Sequence, residues 1–414
     1  SRAKAKKGGI NMIQREIYMQ QIRPFIDKNI VKILTGMRRA GKSIMLDLIK
    51  QELQEKGIEQ TRILSINFES KMYDFTRSED ETYNFVKNFV QKNNSKTYIF
   101  FDEIQELPGF EKLVNSCLID FDCDIYLTGS NANLLSSEFA TYLAGRYVEF
   151  KIYPFSYGEV IDFYHQQGGD VDKNEVFNQY ILKGGMPFIY EAQLDENSAM
   201  QYLQDIYDSI IVKDIATRNS IRDIDLLKRI LQYFILNIGN TFSASNIIKY
   251  LKNEQRKISS ETIYNYISYC KTACLLQTVA RDDIIGKEIL KFQEKIYLTD
   301  HGVRQALFGD NMAQINAVLE NIVYVELLRR GYEVTIGKNG NKEVDFIAKK
   351  GKEKCYIQVS YLLASEETVE REFSVLESID DNFPKYVVSM DEINRGRNGI
   401  ENINIKKFLL MEKY

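Results

Sequence analysis

The sequence predicts an α/β protein whose first third is a mostly parallel sheet covered by helices. Three observations carry this. The stretch "GMRRAGKS" places Gly36, four residues, then Gly41, Lys42 and Ser43, the spacing of a P-loop that cradles phosphates. A β-branched run, "NIVKILTG", leads directly into this loop, and the helix-periodic "SIMLDLIKQELQEKG", closed by Gly57, follows directly after the lysine. Further apolar runs, "RILSINFE", "TYIFFDEIQ", "CDIYLTGSN" and "YVEFKIYPF", recur with helical or loop-like segments between them, as a parallel sheet requires.

The chain has 414 residues, enough for two to four domains. No run of eighteen apolar residues occurs, and the opening "SRAKAKKGGINM" is basic without the apolar stretch of a secretory signal. A cytoplasmic protein with no membrane partner is therefore expected, with a natural start near Met12. Five cysteines at irregular gaps make no disulfide framework, and a reducing compartment suits them. Cys270 and Cys274 fall one helical turn apart while His165 and His301 stand alone, so no structural zinc site is expected. A net charge of −4 excludes a uniformly basic nucleic-acid coat but leaves room for local basic faces.

Strand, loop and helix in that order are what phosphate binding needs, because successive backbone N–H groups and the positive helix end must converge on the anion. The expected nucleotide-binding residues are Gly36, Arg38, Arg39, Ala40, Gly41, Lys42, Ser43 and Ile44. Asp102 and Glu103 close the apolar run "YIFF". In a P-loop enzyme the first acid holds Mg²⁺ beside the Ser43 hydroxyl, and the second orients and polarises the attacking water. Ser130 and Asn131 end the next run, either as groups that distinguish triphosphate from diphosphate or as a simple turn. Arg146 precedes the last run, placed either to neutralise transition-state charge in a neighbouring subunit's site or to lie on the surface.

Taken together, "GMRRAGKS", "IFFDEIQ", "LTGSNANLLS", "LAGRYVEF" and "YPFSYGE" resemble the core of prokaryotic AAA-type ATPases. More narrowly, they resemble the family of ATP-binding proteins whose C-terminal half is catalogued as a domain of unknown function. The likeness runs over nearly the whole chain from Met12. It implies ATP as the nucleotide, Mg²⁺ as cofactor, and Lys42, Asp102, Glu103, Asn131 and Arg146 as the catalytic set. Assembly into a homo-oligomer is typical of such ATPases. The resemblance also implies a role for the pair Arg38 and Arg39, which recurs in similar proteins. Two roles are open: docking on carboxylates of the adjacent helical segment, or contact with a second subunit or a nucleic-acid phosphate.

The ATPase core is expected over residues 12–155. Residues 156–220 read as a helical lid, broken where Gly184, Gly185 and Pro187 interrupt "KGGMPFIY". Asp214 and Arg218, at i and i+4 of "IVKDIATR", are a helix-surface pair or a nucleotide-sensing arginine with its neighbour. Residues 221–308 read as three amphipathic helices and two strand-like pieces around Gly286, with Ser243 and Ser259 as caps, the order of a winged helix. On double-stranded DNA it would set Ser260, Thr262, Asn265 and Tyr266 near base edges, with Lys249, Lys252, Arg256, Lys257 and Lys271 on phosphates. Such a module equally serves as a packing unit.

Residues 309–414 run as a helix with Glu326, a strand with Asp345, a turn at Gly351, and a strand with Gln358 and Ser360. That order resembles the restriction-endonuclease-like α/β fold. Active members carry an acid, any residue and a lysine on the last of these strands, and here Gln358 and Ser360 hold those places. Glutamine can ligate a hard cation but brings no charge, and serine cannot replace a lysine. A catalytically degenerate site is expected, with Lys352 or Lys354 as the candidates to reach in. The reading as a whole is a Mg²⁺-dependent, DNA-associated ATP switch. An ATP-regulated nuclease and a protein-binding ATP switch that never touches nucleic acid are the alternatives.

Overall fold

In the computed structural model the described residues are 6–7, 10–73, 78–129, 134, 141–143, 145–168, 171–253, 258–283, 289–340 and 342–414. They divide into two units, one reaching Tyr153 and including Thr272–Cys274, the other made of the rest of the chain from Pro154 onward. In the first unit β1 (Val31–Thr35), β2 (Ile63–Asn67), β3 (Thr97–Asp102), β4 (Cys123–Thr128) and β5 (Tyr147–Lys151) form one parallel sheet in the order β2-β3-β4-β1-β5. Strand β4 lies between β1 and β3, and all carboxyl ends share one end of the sheet.

Side-chain parity assigns the two faces. Val31, Ile33, Ile99, Phe101, Ile125 and Leu127 pack with Val86 of α3 (Glu79–Gln91) and Leu113, Val114 and Cys117 of α4 (Phe110–Asp120). Leu34, Tyr98, Phe100 and Tyr126 point the other way, onto Tyr18 and Met19 of α1 (Glu16–Ile22) and Met45, Leu46 and Ile49 of α2 (Lys42–Glu55). Burying each large apolar side chain contributes about 1.5–3 kcal/mol over leaving it exposed. On this second face the fully buried Lys32 pairs with Asp124. The other Asp124 oxygen accepts the Tyr126 hydroxyl (2.7 Å) and the Asp27 N–H (2.9 Å).

The second unit opens with α5 (Tyr157–Gln166), whose first turn is closed reciprocally by Ser156 and Glu159. Helices α6 (Lys173–Lys183), α7 (Pro187–Glu191) and α8 (Glu196–Ser209) come next, the last continuing into π-helical Ile210–Thr217. The expected break is present. Gly184 has φ 69°, a Cβ there would lie 2.0 Å from Asp300 Oδ1, and Pro187 begins α7. Beyond them lie α9 (Ile224–Leu236), α10 (Ala244–Asn253), α11 (Ser260–Thr272) capped by Ser259, and the hairpin strands β6 (Leu276–Asp283) and β7 (Ile289–Leu298). Gly286 lies outside the described residues.

The remainder is α12 (Gly302–Phe308), α13 (Ile315–Arg329), β8 (Glu333–Asn339), β9 (Lys342–Lys350), β10 (Glu353–Val359), α14 (Glu366–Glu377), β11 (Lys385–Ser389), β12 (Glu401–Asn404) and α15 (Ile405–Leu410). The hairpin does not stand free as a wing. Strand β6 pairs in parallel with β8, so one mixed sheet runs β12-β11-β10-β9-β8-β6-β7 across the boundary expected at residue 308. The unpaired backbone groups along one side of β8 are what β6 satisfies. No helix among the described residues is long and apolar enough to cross a membrane.

Candidate functional site

Gly36 (φ 145°), Arg39 (φ 67°) and Gly41 (φ 100°) curl the loop between β1 and α2 through positive backbone angles. A Cβ on Gly36 would lie 2.2 Å from the Ile152 carbonyl oxygen, so only glycine fits against the end of β5. The buried Arg15 guanidinium holds the loop, donating from Nη1 to the Ala40 carbonyl (2.9 Å) and from Nη2 to the Tyr153 carbonyl (2.6 Å). Lys42, 4% exposed, opens α2. Its Nζ donates to the carbonyls of Gly36 (3.0 Å) and Met37 (3.2 Å) and stands 4.0 Å from Glu103 Oε1. Burial pushes the ammonium's pKa down, and the Glu103 charge pulls it back up.

Asp102, at the end of β3, is gripped from three elements. Ser43 Oγ of α2 donates to Oδ1 at 3.1 Å, the Thr128 hydroxyl of β4 donates to the same oxygen, and Asn67 Nδ2 of β2 donates to Oδ2 at 3.0 Å. Glu103 comes next in the chain with a left-handed backbone, φ 51°. Its N–H donates to Thr128 Oγ1 (2.9 Å), and its Oε2 accepts the Gln105 amide (2.5 Å). The Ser43 hydroxyl and the Asp102 carboxylate are adjacent hard oxygens, a donor set that fits Mg²⁺, which binds through one or two carboxylates plus phosphates and waters. No group of three or more metal-ligating His, Cys, Asp or Glu occurs among the described residues.

Of the other residues expected here, Ala40 is buried, Ile44 half-buried and Arg39 exposed. Arg38 is half-buried and its charge reaches Glu69, whose carboxyl is pushed up by burial and by Glu103, with Arg38 opposing. Ser130 and Asn131 lie outside the described residues. Arg146 sits just before the amino end of β5, at the end of the sheet opposite the loop, and turns to Asn115 Oδ1 (2.7 Å) and the Leu143 carbonyl (3.2 Å). Sequence reasoning passes over Asn67, Gln105 and the Thr128 side chain. Asn67 carries a signal: it ends the run beside "TYIFFD" and opposes Asp102 in register.

The C-terminal acids regroup. Glu326 does not face Asp345: Arg329 binds its Oε2 and Arg330 Nε its Oε1 (2.7 Å), making a buried structural anchor. Glu320, nearly two turns earlier on α13, is the charge that acts most strongly on Asp345. Burial, then Glu320, hold the Asp345 carboxyl well above its usual range. Asp345 Oδ2 accepts the Val359 N–H (2.8 Å). Gln358 accepts the Asp345 N–H (3.2 Å) and donates to Glu372 (2.9 Å), while the Ser360 N–H completes the sheet to Val388 (2.9 Å). Lys354 turns to Tyr356 and to Asp381 (3.6 Å), and Lys352 is exposed. The ammonium beside Asp345 is instead Lys295 of β7, already held by Glu320 (3.2 Å) and Glu343 (2.7 Å).

In the helical part Ser260 and Asn265 are exposed and Thr262 is half-buried, but Tyr266 is 8% exposed and packs inward. Tyr264, two residues earlier, faces solvent at 48%. Lys249, Lys252 and Lys271 are exposed, the last donating to Thr278 (2.8 Å), while Arg256 and Lys257 lie outside the described residues. Arg218 stands 3.8 Å from Asp214, which at 1% exposure is no surface residue.

A family described as AAA domain matches residues 28–161, and one described as a domain of unknown function matches residues 174–314. An uncharacterized protein of Haemophilus influenzae is 38% identical over 405 residues, 96% of this chain and 99% of the relative. An uncharacterized protein of Methanocaldococcus jannaschii is 32% identical over 415 residues, 97% of this chain and 88% of the relative. Among solved structures, a Walker-type ATPase of Pyrococcus abyssi matches 74% of this chain and 98% of its own with a TM-score of 0.50 at 18% identity, a likeness of fold.

Proposed function

The chain belongs to one family with its Haemophilus influenzae and Methanocaldococcus jannaschii relatives and carries a match to the AAA domain, and from that premise we propose that it is a Mg²⁺-dependent ATPase acting as a nucleotide-driven switch. The observation that carries the proposal is the Ser43 hydroxyl 3.1 Å from Asp102 at the mouth of a loop that holds a buried Lys42. Lys42 and the loop amides bind the β- and γ-phosphates. Ser43 and Asp102 would hold Mg²⁺, which neutralises phosphate charge when bound. Asn67 and Thr128 keep Asp102 in one orientation, and Glu103 polarises the attacking water. Ser130 and Asn131 are assigned to the γ-phosphate and that water. Arg146, remote from its own loop, is assigned to a neighbouring copy's site in a homo-oligomer.

Double-stranded DNA is the proposed partner of the second unit, met by Ser260, Thr262, Asn265 and the exposed Tyr264, with Lys249 and Lys252 on phosphates. Nuclease activity is not proposed, because the ammonium beside Asp345 already serves Glu320 and Glu343. The test is ATP hydrolysis with and without double-stranded DNA, with Lys42→Ala as the blank. Turnover lost in Lys42→Ala and raised by DNA supports both steps. Turnover indifferent to DNA removes the DNA step in favour of a protein partner, and turnover indifferent to Lys42 removes the ATPase reading itself.

A further inference from the structure

Glu103 cannot act on water with both carboxylate oxygens engaged, and in this conformation one of them is tied down. Gln105 Nε2 donates to Glu103 Oε2 at 2.5 Å, while Oε1 of the same amide is buried and has no hydrogen-bond partner among the described residues. The amide's orientation is not ambiguous, because the opposite one would set its carbonyl against a carboxylate. Gln105 Oε1 packs against the end of β4. A Cβ on Gly129 would lie 2.6 Å from it, so glycine there leaves the room the side chain takes.

We propose that Gln105 is a positioning residue that latches Glu103 and sets how often its carboxylate is available to the attacking water. The inference rests on the ATPase reading above. The latch gains a charge-assisted hydrogen bond and gives up the hydration of a carbonyl, two terms of similar size and opposite sign. Its latched position is therefore favoured by only about ten to one, a bias that a switchable element can reverse. Gly129 immediately precedes Ser130 and Asn131, so displacement of the β4 end moves the surface that Gln105 Oε1 rests on. The latch thus joins the segment assigned to the γ-phosphate to the group assigned to the water.

The test measures kcat, KM for ATP and nucleotide affinity in the full chain for Gln105→Met, which keeps the length and loses the donor, and for Gln105→Leu. Each is also made with Glu103→Gln. Release of the latch is expected to raise kcat about ten-fold, about 1.4 kcal/mol in the barrier, with KM and affinity within about two-fold of the parent. The gain should vanish when Glu103→Gln is present. A rise in kcat is not what damaged packing produces. Unchanged or lower kcat in a folded variant, or a gain that survives Glu103→Gln, overturns the latch alone. Absence of Lys42-dependent nucleotide binding by the parent chain overturns the ATPase reading and the latch with it.

Discussion

Replacing Glu326 by alanine should destabilise the second unit by about 3–4 kcal/mol, and the figure comes from how its carboxylate is shared. The side chain is 5% exposed, with Arg329 at 3% and Arg330 at 12%. One oxygen serves each guanidinium, and these in turn donate to the carbonyls of Pro154 (3.0 Å), Met411 (2.5 Å) and Leu409 (2.9 Å). Alanine takes the carboxylate from both guanidiniums at once, and arginine cannot shed its proton to relieve the charge. Removing one partner of a buried pair costs about 3–5 kcal/mol, and the partial exposure of Arg330 points to the lower part of that range. Glu326→Gln keeps the volume and one acceptor and should lose about 1.5–3 kcal/mol, the worth of a hydrogen bond to a charged group. With 26 tyrosines and no tryptophan, urea unfolding is followed by far-UV circular dichroism and tyrosine emission. A loss below about 1 kcal/mol for Glu326→Ala at unchanged denaturant slope would refute the anchor and return Glu326 to the candidate site acids.

Three further outcomes are expected. Gly36→Ala drives a Cβ to 2.2 Å from the Ile152 carbonyl oxygen at φ 145°, so binding of a fluorescent ATP analogue should fall by more than about ten-fold, and retained affinity would show that the loop can shift. Burial raises the carboxyl pKa values of Asp345 and Glu320, so the folded chain keeps protons that the unfolded chain has lost. The stability this contributes is complete below about pH 4 and is lost as pH rises through the folded values. Asp345→Asn should therefore flatten the decline of the urea midpoint with pH, and an unaltered slope would count against the assignment. Tyr264→Ala should weaken salt-sensitive DNA binding while leaving stability within about 0.5 kcal/mol, whereas Tyr266→Ala should cost about 3 kcal/mol, with a reversed pattern refuting the placement of that helix face.

The candidate nucleotide site is legible in the sequence because its signals are local. Gly36, Gly41, Lys42 and Ser43 sit within eight residues, and the apolar run ending at Asp102 identifies a buried strand whose acid emerges where parallel strands end. The grip of Asn67 and Thr128 on Asp102 is not legible there, although each closes a run that is. Helix α13 misleads for a physical reason. It is buried around most of its circumference, so no polar face distinguishes the acid that meets the sheet from the one that meets two arginines. The same holds for Tyr264 and Tyr266, where helical phase by itself does not say which side the neighbouring helices cover.

By itself the sequence determined the α/β class, the strand-loop-helix that carries Lys42, the order of the parallel strands along the chain, and the helix break at Gly184 and Pro187. Periodicity, turn chemistry and short motifs are properties of neighbouring residues. Tertiary structure alone decided that β4 lies between β1 and β3, that the hairpin of β6 and β7 extends the C-terminal sheet, and that Glu320 with Lys295 surrounds Asp345 while Glu326 anchors Arg329 and Arg330. Strand pairing and charge pairing are contacts between residues distant in the chain. Which of several chemically equivalent partners is chosen depends on which backbone edges remain unpaired and which charges burial would otherwise leave uncompensated.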